Sequence, residues 1–252
     1  MSYLTLNKNN IKDEHICCAF SDKKCKESYE AKKTWIESEL ENGFVFEKLD
    51  QRAKVFLETI PSSKAWVPIF APNFLYLGCF WVSGKYKKQG HGKALLENAI
   101  NRCKKLKLKG LVTVVGKKKM HFMSDTKWLL KQGFEIVDET EDGFLLIVLN
   151  LSDDTSFAKF NDCVKKQIVN KNKCVVYYSN RCPFSEYHVL SSLKESCEKR
   201  GIDLEINKLT TKEEAQNCPS PATIFSMFYK GKFITTDISS CMDSRFDKFI
   251  QT

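Results

Sequence analysis

Six consecutive residues, Lys87-Lys88-Gln89-Gly90-His91-Gly92, carry the pattern with the clearest chemical use. The apolar run FLYLGCFWV, residues 74–82, ends just before them, and Leu95, Leu96, Ala99, Ile100 and Cys103 recur at helical spacing just after. Where a strand stops and a helix starts, the first-turn backbone N–H groups have no intrahelical acceptor, and the helix dipole adds partial positive charge. Glycines without Cβ let a pyrophosphate approach those groups, and the turn lysines would neutralise it. The same string also suits a tight turn with solvated lysines. His91 reads as a solvated turn residue or a phosphate contact. Two other phosphate patterns fail here. A dinucleotide loop would need a third glycine where Lys93, Ala94 and Leu95 stand. An NTPase loop would need Ser or Thr after Gly92-Lys93, and Ala94 follows.

The elements that must position this turn read as mixed α/β. YLTLN opens the chain as a strand, and residues 27–43 form an amphipathic helix closed by Gly43. FVFEKLD, AKVFLETIP and AWVPIF alternate with period 2 between Pro and Gly breaks, which predicts an antiparallel meander. After the helix that runs from Gly92 to about Lys105 come the strand GLVTVVG, a second helix ending in KQGF, and the strands EIVDE and FLLIVLN. The pattern then restarts. Polar SDDTS, a short helical pattern over residues 157–167 and polar VNKNK separate residues 1–151 from a second unit at 174–252, with 152–173 as a helical linker.

In that second unit, strand CVVYYS leads into NRCPFS and a helix over residues 185–199. Strand DLEINKL, strand TIFSMFY with a hairpin at Lys230-Gly231-Lys232, and a helix over residues 244–250 follow. This order resembles a thioredoxin-like fold, with Cys182 at a helix start, where the dipole would lower a thiol pKa, and Pro221 before a strand as the residue facing it. The resemblance implies a cis proline, at Ser220-Pro221 or at Pro219. Ser185 stands where a dithiol enzyme has its second cysteine, so exchange would need an outside thiol or Cys218. An idle Cys182, a monothiol role and a cluster role all stay open.

With 252 residues, 42% hydrophobic and 28% charged, the chain has an ordinary globular composition, and no apolar run is long enough for a membrane span. The start lacks the plan of a signal peptide, so a cytoplasmic protein with reduced thiols is expected. Neither Cys17-Cys18 nor Cys174 with Cys182 supplies a CxxC, so no metal is expected. The net charge of +9 would suit nucleic acid, but residues 85–119 alone hold +11 and the other 217 residues sum to −2. A charge so local fits a phosphorylated nucleotide better than a nucleic acid or a membrane surface.

Lys87, Gly90 and Gly92, with the strands on either side and the closing KQGFEIVDE, resemble the acetyl-CoA motif of the GNAT superfamily of N-acetyltransferases, with Lys in place of the usual Arg or Gln. The implied architecture is a GNAT acyl-CoA N-acyltransferase fold, α/β (α+β) with a mixed central sheet, followed by a smaller thioredoxin-like α/β domain. Carried over, Phe80, Trp81 and Val82 would line the pantetheine arm, and Lys87, Lys88, Gln89, Gly90, His91, Gly92 and Lys93 would hold the pyrophosphate of acetyl-CoA, the co-substrate. Its acetyl group would pass to a primary amine of a small molecule or peptide by direct attack in a ternary complex. A homodimer is left open. The position of the family's usual acid is Leu129, so no catalytic residue is identified. Ser124 and Asp125 are candidates that read equally well as helix caps, and Cys79 reads as a small core residue. A thiol-redox protein with a CoA-sensing first domain is the competing class. HICCAF, with His15, Cys17 and Cys18 on an expected strand, and residues 64–84 resemble the narrower group of GNAT proteins with a YoaP-like C-terminal domain. His15, Cys17 and Cys18 would be core residues or pocket residues.

Overall fold

The computed structural model describes residues 2–16, 19–152 and 157–251. The first unit runs β1 (Tyr3–Thr5), α1 (Lys26–Glu39), β2 (Val45–Leu49), β3 (Val55–Pro61), β4 (Ile69–Phe70), β5 (Phe74–Val82), α2 (His91–Lys105), β6 (Gly110–Gly116), α3 (Thr126–Lys131), β7 (Glu135–Glu139) and β8 (Phe144–Asn150). Seven of these strands form one sheet in the order β1-β2-β3-β5-β6-β8-β7, antiparallel throughout except for the parallel pair β5 and β6. The sheet is therefore mixed. Every residue of β6 is buried, which is why GLVTVVG reads as an unbroken apolar run instead of an alternating one.

Each face of the sheet carries its own core. Leu95, Leu96, Ala99 and Cys103 of α2 pack on one face with Leu129 of α3. On the other face lies α1, whose buried stripe of Ser28, Lys32, Trp35, Ile36 and Glu39 follows helical spacing but includes two charged residues. Such a stripe is costly unless the charges are satisfied, and this requirement returns at the site below.

The second unit comprises β9 (Lys159–Phe160), α4 (Asp162–Lys166), β10 (Cys174–Ser179), α5 (Pro183–His188), a π-helical turn and α6 (Lys194–Glu198). It continues with β11 (Leu204–Leu209), α7 (Lys212–Gln216), β12 (Phe225–Tyr229), β13 (Lys232–Thr235) and α8 (Asp243–Ile250). Its sheet has the order β11-β10-β12-β13, with β10 parallel to β11 and antiparallel to β12. Lys230 and Gly231 both have positive φ, the two-residue turn that matches strand twist in a hairpin. Leu209, Ala215, Cys218 and Ala222 belong to the same buried cluster as Trp35, Phe74 and Val112, so the two units share a core.

Several expectations are corrected. AWVPIF does not extend the meander. Only Ile69–Phe70 is strand, and it pairs with β9, because β3 takes β5 as its neighbour instead. The linker is helical only over Asp162–Lys166, since Phe160 is drawn into the core as part of β9. His15 lies in a turn region and not on a strand, with its Nε2 3.0 Å from the Ala53 carbonyl oxygen. Cys17 and Cys18 lie outside the described residues. No peptide bond among the described residues is cis, including those before Pro219 and Pro221. The Ala222 N–H donates to Ser220 Oγ at 3.1 Å, closing a turn around a trans Pro221. Among the described residues no helix is long and apolar enough to cross a membrane, and no cluster of three metal-binding side chains occurs.

Candidate functional site

Strands β5 and β6 pair only at Phe74↔Gly110, Leu75↔Leu111 and Tyr76↔Val112, and then part. The cause lies on the other edge of β5. Against β3, Leu57 faces Phe80 and Thr59 faces Leu77, so Gly78 and Cys79 together oppose the single Glu58. An extra residue in one strand bends it and increases its twist, and here the bend carries β5 away from β6. The Glu58 carboxylate accepts the Cys79 N–H at 3.2 Å, satisfying a donor that the bulge removes from the ladder. Thr113 on β6 donates its hydroxyl to the Leu77 carbonyl at 2.8 Å and ties the apex of the resulting wedge.

The wedge opens toward the glycine turn. Phe80 and Val82 are half-buried against the α2 face, and Trp81 is 47% exposed. Gly90 caps α2 with φ +86°, a conformation that favours glycine, and a glycine cap supplies no side chain to the first-turn N–H groups. A Cβ at Gly90 would meet nothing within 4 Å, whereas one at Gly92 would stand 3.3 Å from the Trp128 ring. Lys87, Lys88, Gln89 and Lys93 are exposed. His91 is not a solvated turn residue. It is 4% exposed, hydrogen-bonded through Nδ1 to the Tyr3 hydroxyl at 2.9 Å and packed edge-on against Tyr3 and Tyr86, so only its backbone N–H can face a phosphate.

On the α1 side of the wedge lies a buried polar chamber that sequence reasoning missed. Lys32 Nζ is 2.7 Å from Glu58 Oε1, and both side chains are almost fully buried. Arg181, from the loop after β10, reaches into the first unit. Its Nη1 donates to the Trp66 carbonyl oxygen at 3.3 Å and to Thr223 Oγ1 at 3.2 Å. Burial pushes the Tyr76 phenol up, with the neighbouring Arg181 acting against that, so Tyr76 stays protonated. A signal for Glu58 did exist in the sequence, a charge between Phe56 and Ile60 on one face of a strand, whereas Lys32 shares its buried stripe with Ser28 and Glu39. Arg181 offers none, because it acts in a unit other than its own.

The chain is 39% identical over 252 residues to a Bacillus subtilis (strain 168) protein described as the uncharacterized N-acetyltransferase YoaP, covering 100% of this chain and 99% of that one. The chain belongs to the GNAT family of N-acetyltransferases. The family model "Acetyltransferase (GNAT) family" matches residues 9–122, and a YoaP-like model matches residues 203–248. Among solved structures, the Escherichia coli GNAT family N-acetyltransferase YhbS in complex with CoA is similar, with TM-score 0.41 and 14% identity over 64% of this chain and 89% of that one. The PaiA N-acetyltransferase of Thermoplasma acidophilum in complex with coenzyme A gives 0.40 and 16% over 60% and 99%.

The remaining sequence candidates fall on both sides of this GNAT wedge. Asp125 caps α3, its carboxylate accepting the Trp128 N–H at 2.9 Å, which ties it to positioning the ring beside Gly92. Ser124 lines the chamber with half-buried Cys79, Thr113 and Pro221. Leu129 is fully buried and has no proton to give. Cys182 is at the start of a six-residue helix and 7% exposed, and Ser185 is fully buried with no hydrogen-bond partner for Oγ among the described residues. A thiol so covered is poorly placed to attack an outside disulfide.

Proposed function

We propose that this GNAT chain transfers the acetyl group of acetyl-CoA to a primary amine by direct attack in a ternary complex. The observation that carries the reading is the wedge between β5 and β6, which opens onto the glycine-capped start of α2. The parted backbone of Phe80, Trp81 and Val82 would run beside the pantetheine arm. The first-turn N–H groups near Gly90 and Gly92 would receive the pyrophosphate, with Lys87, Lys88, Gln89 and Lys93 beside them. Acetyl-CoA supplies an activated thioester. The residues of the chain contribute alignment and a dry surround, which can account for much of an acyl-transfer acceleration. An amine must lose a proton before attack, and the Glu58 carboxylate at the bulge already holds Lys32 on Oε1 and the Cys79 N–H on Oε2.

Calorimetry with acetyl-CoA and CoA tests the reading. Binding is expected, and Gly92→Asp should abolish it by placing a carboxylate at the positive end of the helix and against Trp128. Undiminished binding by that variant, or none by the parent, ends the proposal. For the second unit we propose a thioredoxin-like fold used for packing and not for thiol exchange. The strand order β11-β10-β12-β13 supports the fold, and the burial of Cys182 and Ser185 supports the absence of exchange.

A further inference from the structure

Two strands that part leave a space that widens away from their last pair, yet at the apex of this wedge the space is nearly closed. Past Tyr76↔Val112, the last β5–β6 pair, the strand residues Gly78 and Cys79 on one side and Thr113 and Val114 on the other line a cavity of about 30 Å³. One water takes roughly 10–15 Å³ of such space, so the cavity has room for one or two heavy atoms and little more. What closes it comes from the other unit. Arg181 and residues 221–224, the segment just before β12, form the wall that neither parted strand supplies.

That wall is held firmly. The Thr223 hydroxyl donates to the Trp66 carbonyl of the first unit and accepts from Arg181 Nη1 at 3.2 Å, and the Thr223 carbonyl accepts the Ser179 hydroxyl at 2.9 Å. Ala222 belongs to the core that the two units share, and Ile224 is buried. A wall packed and bonded in this way does not make room for an extra methylene without cost. Arg181 is a positioning residue here, since it bridges Trp66 of one unit and Thr223 of the other.

The direction of β5 decides what would meet the cavity. A CoA with its pyrophosphate at the start of α2 and its pantetheine arm beside residues 80–82 runs back along β5, so its acyl end points to Cys79 and Gly78, where the cavity lies. The lip at Trp81 stays exposed, which leaves an approach for the amine while the acyl tail is enclosed. We infer that the second unit sets the acyl length of the donor. Residues 221–224, with Ile224 the largest apolar side chain among them, form an end wall that admits the methyl of an acetyl group and turns away a longer acyl chain. The inference rests on the acetyltransferase reading for its ligand, and it gives the second unit a part in donor selection that needs no thiol chemistry.

The test is calorimetry on the full chain with CoA, acetyl-CoA, propionyl-CoA and butyryl-CoA, which needs no acceptor. Acetyl-CoA should bind about tenfold or more tighter than propionyl-CoA, the scale of one methylene too many in an apolar pocket, and butyryl-CoA should bind more weakly still. Ile224→Ala, which moves the wall back, should bring propionyl-CoA to within about threefold of acetyl-CoA. The readout is the propionyl-to-acetyl ratio, which a general loss of packing would leave in place. Ile224→Val should move the same ratio by less, and it serves if Ile224→Ala does not fold. A parent that binds all three thioesters alike, or a ratio that neither variant moves, overturns the inference and leaves the acetyltransferase reading standing. If neither CoA nor any thioester binds, the acetyltransferase reading fails and this inference fails with it.

Discussion

On one side of the wedge the residues that would meet a phosphate are consecutive, 87–93, and the lysines are exposed. On the other, Lys32, Glu58, Tyr76, Gly78 and Arg181 come from α1, β3, β5 and the loop after β10, and their side chains are held in a covered chamber by specific bonds. The first side needs only a local turn and a helix end, so its chemistry is spread over backbone groups and mobile cations. The second side needs the whole fold, including a shared core between two units, to bring its charges together. The two sides of the wedge therefore differ in how much of the fold each one needs.

Substitutions can break this contrast. The largest effect is expected for Lys32→Met, which strands a buried Glu58 carboxylate and should cost about 3–5 kcal/mol in chemical denaturation. Adding Glu58→Leu should recover much of it. A loss under about 1 kcal/mol would mean the chamber is no more demanding than the turn. Next comes Leu209→Ala, in the core shared by the two units, at roughly 2–5 kcal/mol. Melting should remain a single transition, and two separated transitions would show that the units do not lean on each other. Lys87→Ala with Lys88→Ala should leave stability within about 0.5 kcal/mol. The same pair should weaken acetyl-CoA binding by several fold, with a difference that shrinks as salt is added.

The smallest effect concerns pH and lies outside both sides. Burial pushes the His15 pKa down, with Lys48 and Arg52 acting the same way and Glu14 opposing. The folded value lies below the unfolded value of about 6.5, so both states are neutral above about pH 7.5 and the stability is fully present there. As pH falls through about 6.5 the unfolded chain takes up its proton first, and stability is lost down to the folded value. The melting temperature should therefore drop between about pH 7.5 and 5.5, and His15→Gln should flatten part of that slope. His188, also pushed down by burial, acts in the same direction.

The legible part of the molecule is the local part. Strands β5, β6 and β8, helix α2 and the hairpin at Lys230-Gly231 follow from periodicity, glycine placement and turn chemistry, and the GNAT resemblance of Lys87, Gly90 and Gly92 rests on the same short window. His91 was misread because its burial depends on Tyr3, far away in the chain. The expected meander failed at AWVPIF because pairing is settled by competition for an edge, which a local pattern does not contain. Arg181 was invisible for the same reason: nothing near residue 181 announces that its partners are Trp35, Trp66 and Tyr76.

The bulge at Gly78 and Cys79 also works as a parity switch. Before it, Leu75 and Leu77 face the α2 core and Phe74 and Tyr76 the α1 core; after it, Phe80 and Val82 face the α2 core and Cys79 the other. Odd and even positions thus exchange faces within one nine-residue strand. Ironing the bulge out at the present chain length would turn Trp81 inward and Phe80 outward, whereas deleting one of its two residues would keep Phe80 opposite Leu57 and remove only the bend. The extra residue thus sets the direction of the strand, and the two-against-one pairing keeps its side chains on their faces.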